Sequence, residues 1–337
     1  MRVLVTGGTG FIGSHTCVAL IEAGHHPVVI DNLCNSSAES LRRVAAITGV
    51  EVPFVEADVR DEATVFQVLQ DHALDTVIHF AGLKSVAESV RERDRYLDNN
   101  VGGTESVARA AMRAGLKKFV FSSSASVYGL GGSGCVNETA ATEPANPYAE
   151  SKLLAELALR NLLRATDMKV VLLRYFNPVG AHPGGSMGED PVGTPNNLMP
   201  YVCQVASGRL PRLSIFGNDY PTPDGTGVRD YIHVMDLAEG HVAALAHVDR
   251  ADAEPVLLCN LGSGSGHSVL EVVRTFEEVN GVEVPCEIVV RRPGDVASYY
   301  ADPSLAARVL GWRTRRSLAE MCRDAWNWQR LHPHGYR

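Results

Sequence analysis

No stretch of the chain approaches the run of about 18 apolar residues that a membrane-spanning helix requires, and no secretory leader precedes the first apolar segment, Met1 to Val5. The cytoplasm is the expected location. Cysteine is sparse and scattered: Cys17, Cys34, Cys135, Cys203, Cys259, Cys286 and Cys322 stand singly, odd in number, with no Cys-x-x-Cys. That argues against a disulfide framework and against a zinc site. The histidines, among them His25, His26, His79, His182 and His233, lack metal-ligand spacing, so no metal is expected. Positive charge is in deficit. A formal net charge of −8 argues against a general nucleic-acid or anionic-membrane surface. There is no internal repeat and no low-complexity tract. What remains is an ordinary globular composition, and 337 residues suffice for one large or two modest domains.

Short apolar runs alternate with helical stretches through the first half, which argues for βαβ units and a parallel sheet. Strands are predicted at 2–5, 28–30, 54–55, 76–80, 118–121 and 170–173, and helices at 11–23, 104–114 and 148–164. From Asn177 the texture changes. Residues 177–231 are rich in Gly, Pro and Asn and read as irregular structure around a ligand. They hold too many large apolar residues, such as Leu198, Met199, Tyr201 and Phe216, to be disordered. Beyond them, 236–246 reads as helix, 256–261 as strand and 317–331 as an amphipathic helix.

Residues 7–13 read Gly-Gly-Thr-Gly-Phe-Ile-Gly, between the first strand and the first helix. Gly7 and Gly8 permit a tight turn, Gly10 lets backbone approach a pyrophosphate, and Gly13 lets the helix pack close to the sheet. The helix N-terminus then faces the phosphates. In this context the motif predicts a bound dinucleotide. Asp31, after the second strand, can accept hydrogen bonds from a ribose diol and repel a 2′-phosphate, so NAD is favoured over NADP. Asp58 is a candidate partner for an adenine amino group. Phe80-Ala81-Gly82 reads as a second close approach to the cofactor, with Asn99 holding it in place.

Tyr148 and Lys152 are one helical turn apart and share a face. A phenol ionises near pH 10, and a neighbouring cation favours the phenolate. The pair is therefore expected to move a proton on and off a substrate hydroxyl. The cluster Ser122-Ser123-Ser124 precedes it.

The glycine loop, Asp31, His79 to Gly82, the serine cluster and Tyr148-x-x-x-Lys152 together resemble the extended short-chain dehydrogenase/reductase family. The blocks 174–182, 195–200, 215–220 and 224–233 are similar to UDP-glucose 4-epimerases, and the resemblance runs essentially end to end. It departs along Gly131 to Thr142, and at Glu150, where a neutral or basic residue is common. The implied fold is a Rossmann-type doubly wound parallel sheet with a smaller C-terminal α/β substrate-binding domain. Residues 1–176 would bind NAD, with 233–261 returning to that domain, and 177–232 with 262–337 would bind a UDP-sugar. The resemblance implies reversible C4 inversion of a UDP-hexose through a 4-keto sugar, with NAD tightly held. Tyr148 would carry the proton, Lys152 would bond the nicotinamide ribose and depress the phenol, and Ser124 would bond the reacting oxygen. The implied cofactor set is Gly7, Gly10, Phe11, Ile12, Gly13, Asp31, Asn32, Asn35, Ser36, Asp58, Val59, Phe80, Ala81, Gly82, Lys84, Asn99, Ser124, Tyr148, Lys152 and Phe176. The implied substrate set is Lys84, Ser124, Tyr148, Asn177, Asn197, Leu198, Phe216, Arg229, Tyr231, Arg292, Asp295 and Tyr299. Arginine forks suit a pyrophosphate. Arg291 and Arg292 should face opposite ways on a strand, and Arg292 matches the family pattern. A homodimer through helices 104–114 and 148–164 is the family's suggestion.

Besides a UDP-glucuronate-type epimerase or decarboxylase, which would need a cation for a 6-carboxylate where the sequence shows no clear extra one, three rivals compete. One is an epimerase of broader UDP-sugar range. A second, a nucleotide-sugar 4,6-dehydratase, needs an acid where this chain has Ser124-Ala125-Ser126. The third, a non-catalytic NAD sensor, would have no need of Tyr148 and Lys152.

Overall fold

The computed structural model describes residues 1–129, 134–164, 166–292 and 294–337. In chain order its strands are β1 (Arg2–Thr6), β2 (His26–Asp31), β3 (Phe54–Glu56), β4 (Thr76–His79), β5 (Lys118–Ser124), β6 (Gly134–Val136), β7 (Lys169–Tyr175), β8 (Asn177–Val179), β9 (Leu213–Phe216), β10 (Val228–His233), β11 (Val256–Leu261), β12 (Gly266–Ser268), β13 (Cys286–Val289) and β14 (Ser298–Ala301). Seven of them form one parallel sheet in the order β11-β7-β5-β4-β1-β2-β3. The order reverses between β1 and β4, and ligands of open α/β sheets bind at such a switch point, outside the strand C-termini.

Helices cover both faces of this sheet, so its strands read as near-continuous apolar runs. Val3 and Val5 point into one core, shared with Val18 and Leu20 of the helix Phe11–Glu22 and Leu237 and Ala244 of the helix Val234–Val248. Leu4 points into the other, with Val107 and Ala111 of the helix Gly103–Arg113 and Ala155 and Leu159 of the helix Pro147–Leu163. Strand β5 runs three residues past the predicted apolar segment because Ser122, Ser123 and Ser124 stay in register with Leu173, Arg174 and Tyr175.

Residues 177–231 are more regular than their composition suggests. They contain β8, β9, the helix Leu198–Ala206 and the start of β10. These strands are short and their partners distant: β8 pairs with β10, and β9 with β13. A sequence window contains neither partner. Strand β10 also joins β12, β14 and, through β14, β6 in a second sheet. The two sheets are tied closely: only Phe176 separates β7 from β8, and β10 ends at His233, the cap of the helix Val234–Val248. The last helix, Leu318–Leu331, begins at Ser317 with a capping box to Glu320. All seven cysteines are free thiols. Of the family-variable stretch beginning at Gly131, residues 131–133 lie outside the described residues.

Candidate active site

The glycine loop is built by close approach. Gly7 is left-handed, φ +69°, and a Cβ there would lie 2.6 Å from the Ala81 nitrogen, so the loop rests directly on Phe80-Ala81-Gly82. A Cβ on Gly13 would meet the Gly7 carbonyl oxygen at 2.3 Å. One on Gly10 would meet only that same oxygen, at 3.3 Å, so the other side of Gly10 is open. Gly10 caps the helix Phe11–Glu22 with no side-chain hydrogen bond, which leaves the first-turn N–H groups, Phe11 and Ile12 among them, available to an anion. This cradle fits a dinucleotide pyrophosphate.

Asp31 ends β2 with its carboxylate accepting from Thr9 N (3.2 Å), Leu33 N (3.0 Å) and the Ser36 hydroxyl (3.1 Å). Of about four acceptor positions on a carboxylate, this leaves one for a ribose hydroxyl. Asn32 donates to Asp58 at 3.2 Å, and Arg60 pairs with Asp58 at 2.7 Å. The Arg60 hydrogen bond holds the Asp58 carboxyl down at about 2. Asn35 is exposed on the same loop. Val59 is buried in the apolar core, so a ligand contact from it comes through its main chain.

Strand β4 ends one residue before Phe80. The segment after it is held by Asn100, whose side chain accepts from Leu83 N at 2.8 Å and donates to Leu83 O at 3.0 Å and to Ser151 Oγ at 2.9 Å. Asn99, expected in that role, reaches the segment only through Asn100, at 3.0 Å. Both lie in a single π-helical turn, Asp98–Gly102, a distortion frequent at functional sites. The same segment brings Gly82 beside Lys152: a Cβ on Gly82 would lie 3.5 Å from Lys152 Nζ.

Tyr148 sits in the first turn of the helix Pro147–Leu163. Asn146 caps that helix by accepting from Ala149 N at 2.9 Å, with Pro147 at the first position. Lys152 is buried and donates from Nζ to the Ser122 carbonyl at 2.8 Å. Burial lowers its ammonium to about 8, with Glu156 opposing. Burial raises the Tyr148 phenol, and the Ser124 hydroxyl and the Lys84 ammonium oppose that rise. The Lys152 ammonium is engaged by Ser122. Ser124 itself accepts from Ser126 N and Ser126 Oγ, at 3.2 and 2.9 Å.

Around this centre the expected substrate residues form three groups. In the first, Phe176 packs on Tyr299, ring centroids 5.0 Å apart, and the Tyr299 hydroxyl donates to the Ala125 carbonyl. In the second, Arg292 lies over the Phe216 ring at 4.1 Å, and Asp295 sits between Arg229 (3.5 Å) and Arg292 (3.6 Å). Arg291 faces away, paired with Asp219 at 2.6 Å. The two arginines take different partners, but β13 ends at Val289 and both lie beyond it, so the strand alternation expected of them does not apply. In the third, Lys84 pairs with Glu189 at 2.9 Å, and Asn197, just before Leu198 opens its helix, donates to the same carboxylate oxygen at 3.2 Å. Asn177 donates to the Asp230 carbonyl at 2.7 Å. Tyr231 is 4 % exposed in the apolar core behind β10, so its ring lines no open surface. Sequence reasoning missed Asn100, Ser126 and Glu189. The signal for Asn100 was its neighbour in Asp98-Asn99-Asn100-Val101; for Glu189 there was none.

A family model described as GDP-mannose 4,6 dehydratase matches residues 4–325. The UDP-glucose 4-epimerase of Bacillus subtilis is 54 % identical over 100 % of this chain and 99 % of its own. A crystal structure of UDP-glucose-4-epimerase from Stenotrophomonas maltophila, with bound NAD and formylated UDP-arabinopyranose, has a TM-score of 0.96 at 50 % identity, covering 99 % of both chains. That of the Bifidobacterium longum enzyme with NAD+ and UDP gives 0.94 at 47 % identity, over 99 % of this chain and 100 % of that one. With the glycine cradle, the Tyr148–Lys152 pair and end-to-end similarity all in agreement, the chain belongs to the family of that dehydratase model and, within it, to the UDP-glucose 4-epimerases.

Proposed function

We infer that this chain interconverts UDP-galactose and UDP-glucose by inversion at C4. The observation that carries the reading is the seating of Tyr148 and Lys152 on one helix face against the end of β5, where Ser124 emerges. NAD, when bound, supplies the acceptor and later the donor of the C4 hydride, and a positive ring that favours the phenolate. The phosphates belong at Gly7, Gly10, Gly13 and the N-terminus of the helix Phe11–Glu22, and the adenosine ribose at Asp31. Lys152 is placed to leave the Ser122 carbonyl for a ribose hydroxyl. Tyr148 takes the proton from the 4-hydroxyl and later returns it. Ser124 holds the same oxygen. The 4-keto sugar turns about its phosphate link while Arg229 and Arg292 grip the pyrophosphate, Phe216 the uracil, and Asp295 the uridine ribose. Lys84, Asn177, Asn197 and Tyr299 line the sugar pocket.

The dehydratase description of the family model does not carry over to the chemistry proposed here. Elimination needs an acid beside the sugar, and Ser124-Ala125-Ser126 offers hydroxyls and a carbonyl only. The same reading assigns residues 1–176 and 233–261 to NAD binding, supported by the pairing of β11 with β7 and by the core shared between Phe11–Glu22 and Val234–Val248. It assigns 177–232 and 262–337 to the UDP-sugar. A homodimer through the helices Gly103–Arg113 and Pro147–Leu163 is supported by the exposed Leu154 and Leu157. Among the described residues no helix is long and apolar enough to cross a membrane. A reducing compartment, the cytoplasm, suits the seven free thiols. The test is incubation with UDP-galactose and no added NAD. UDP-glucose is expected; a 4-keto-6-deoxy sugar, or no turnover, would overturn the reading.

A further inference from the structure

We propose that Ser123, Glu156 and Arg174 form a buried positioning unit that sets the seat and the charge of Lys152; the inference rests on the epimerase reading. Glu156 lies one helical turn beyond Lys152, so both side chains face β5. Their docking partners are consecutive residues. Lys152 donates to the Ser122 carbonyl at 2.8 Å, and Glu156 accepts from the Ser123 hydroxyl. Ser124 follows directly. Arg174 stands opposite Ser123 in the β5–β7 register and closes a two-pronged fork on Glu156, at 2.9 and 2.6 Å. Behind it, the guanidinium lies over the Tyr128 ring at 4.7 Å.

The fork is buried on both sides, at 5 % and 2 % exposure. A buried ion pair is weak evidence for stability, because apolar residues of similar volume often serve as well or better. Two things distinguish this pair from such a filling. It fixes the helix against β5 both along and around its axis, through directional bonds one residue from those of Lys152. It also places a carboxylate one helical turn from an ammonium that burial disfavours, and that carboxylate opposes the loss of the charge. The other titratable groups around Lys152 are His79 on β4, kept neutral by burial and bonded to Thr6 and Thr104, Tyr175 on β7, bonded to Ser122, and Tyr148 on its own helix. Lys84 follows β4. On the far side, Arg93 pairs with Glu150 at the surface and Asn100 bonds Ser151. Glu156 is the carboxylate in this set that burial keeps from solvent.

The test is the pH profile of the holoenzyme turning over UDP-galactose, read beside an NMR titration of 13Cε-labelled lysine in the same holoenzyme. In Glu156→Gln the alkaline limb of kcat and the Lys152 resonance should both move to lower pH by about one unit, with KM unchanged. Glu156→Asp keeps the charge and should return both to the wild-type position even where melting falls. Wild-type limb and resonance in Glu156→Gln would overturn the proposal. If that variant does not fold, Ser123→Ala decides. It removes one bond from the carboxylate and should lower kcat about fivefold at constant KM; an unchanged kcat would equally overturn the proposal. Absence of turnover in the wild type would instead remove the functional reading itself.

Discussion

Gly13→Ala separates a glycine that serves the site from one that serves only the chain. A Cβ at Gly13 would lie 2.3 Å from the Gly7 oxygen, and real Cβ contacts essentially never fall below 3.0 Å, so the helix and loop must part by about 0.7 Å. The obstacle is backbone, which cannot rotate aside. Overpacking of this kind costs about 1–3 kcal/mol. At about 2.1 cal/mol/K per residue, 337 residues give an unfolding entropy near 0.7 kcal/mol/K, so the melting point should fall by about 1–4 °C. The larger effect falls on the ligand. A phosphate bond of about 2.9 Å stretched by that displacement is no longer a hydrogen bond. Losing one charge-assisted bond, about 1.5–3 kcal/mol, weakens NAD by roughly 10- to 100-fold. The assay is the NAD released on denaturation of protein taken through gel filtration. The control is Gly24→Ala, with φ +78° and open space around it. It should lose about 1–2 kcal/mol of stability and keep its full NAD content. A Gly13→Ala protein with full NAD and wild-type melting would refute the close-approach argument.

Tyr148→Phe should retain NAD and lose at least about a hundredfold in kcat; near-wild-type turnover would remove the phenol from the proton path. Asp31→Ala should narrow the preference for NAD over NADP, measured by binding to stripped protein. An unchanged ratio would confine Asp31 to holding Thr9, Leu33 and Ser36. The ligand-free chain should melt higher as Lys152→Met than as wild type at pH 7. Lys152 in the fold titrates near 8, below its unfolded value of about 10.4, so the fold disfavours its ammonium. That penalty, about 3 kcal/mol at most, is present below pH 8 and is relieved as pH rises through 8 toward 10. The difference in melting point between the two proteins should therefore close over that range. A pH-independent gap would contradict a buried ammonium.

The central sheet is legible in the sequence because burial on both faces writes strands such as Val3 to Val5 and Val170 to Leu173 as unbroken apolar runs. The glycine loop is legible because its steric demands fall on adjacent residues. What escapes is whatever depends on partners distant in sequence. β8 has three residues and takes its conformation from β10, about fifty positions away. Glu189 acquires its role only where the fold brings Lys84 and Asn197 to it. The π-turn that puts Asn100 rather than Asn99 against Leu83 is a local distortion that no periodicity announces. Helical spacing puts Lys152 on the face of Tyr148, but its hydrogen bond to the Ser122 carbonyl comes from the packed strand and cannot be read from that spacing.

The chain passes from β7 of the first sheet to β8, which pairs with β10, through one intervening residue, Phe176, and β10 runs with none into the helix Val234–Val248, which packs on the first sheet. Rigid-body closure needs connecting segments whose dihedrals can absorb the rotation, and a single residue offers only two. At this junction the two sheets are joined by links too short to act as a hinge. If a hexose presents both faces to one reagent as proposed, the freedom that requires is expected in the sugar and not at this junction.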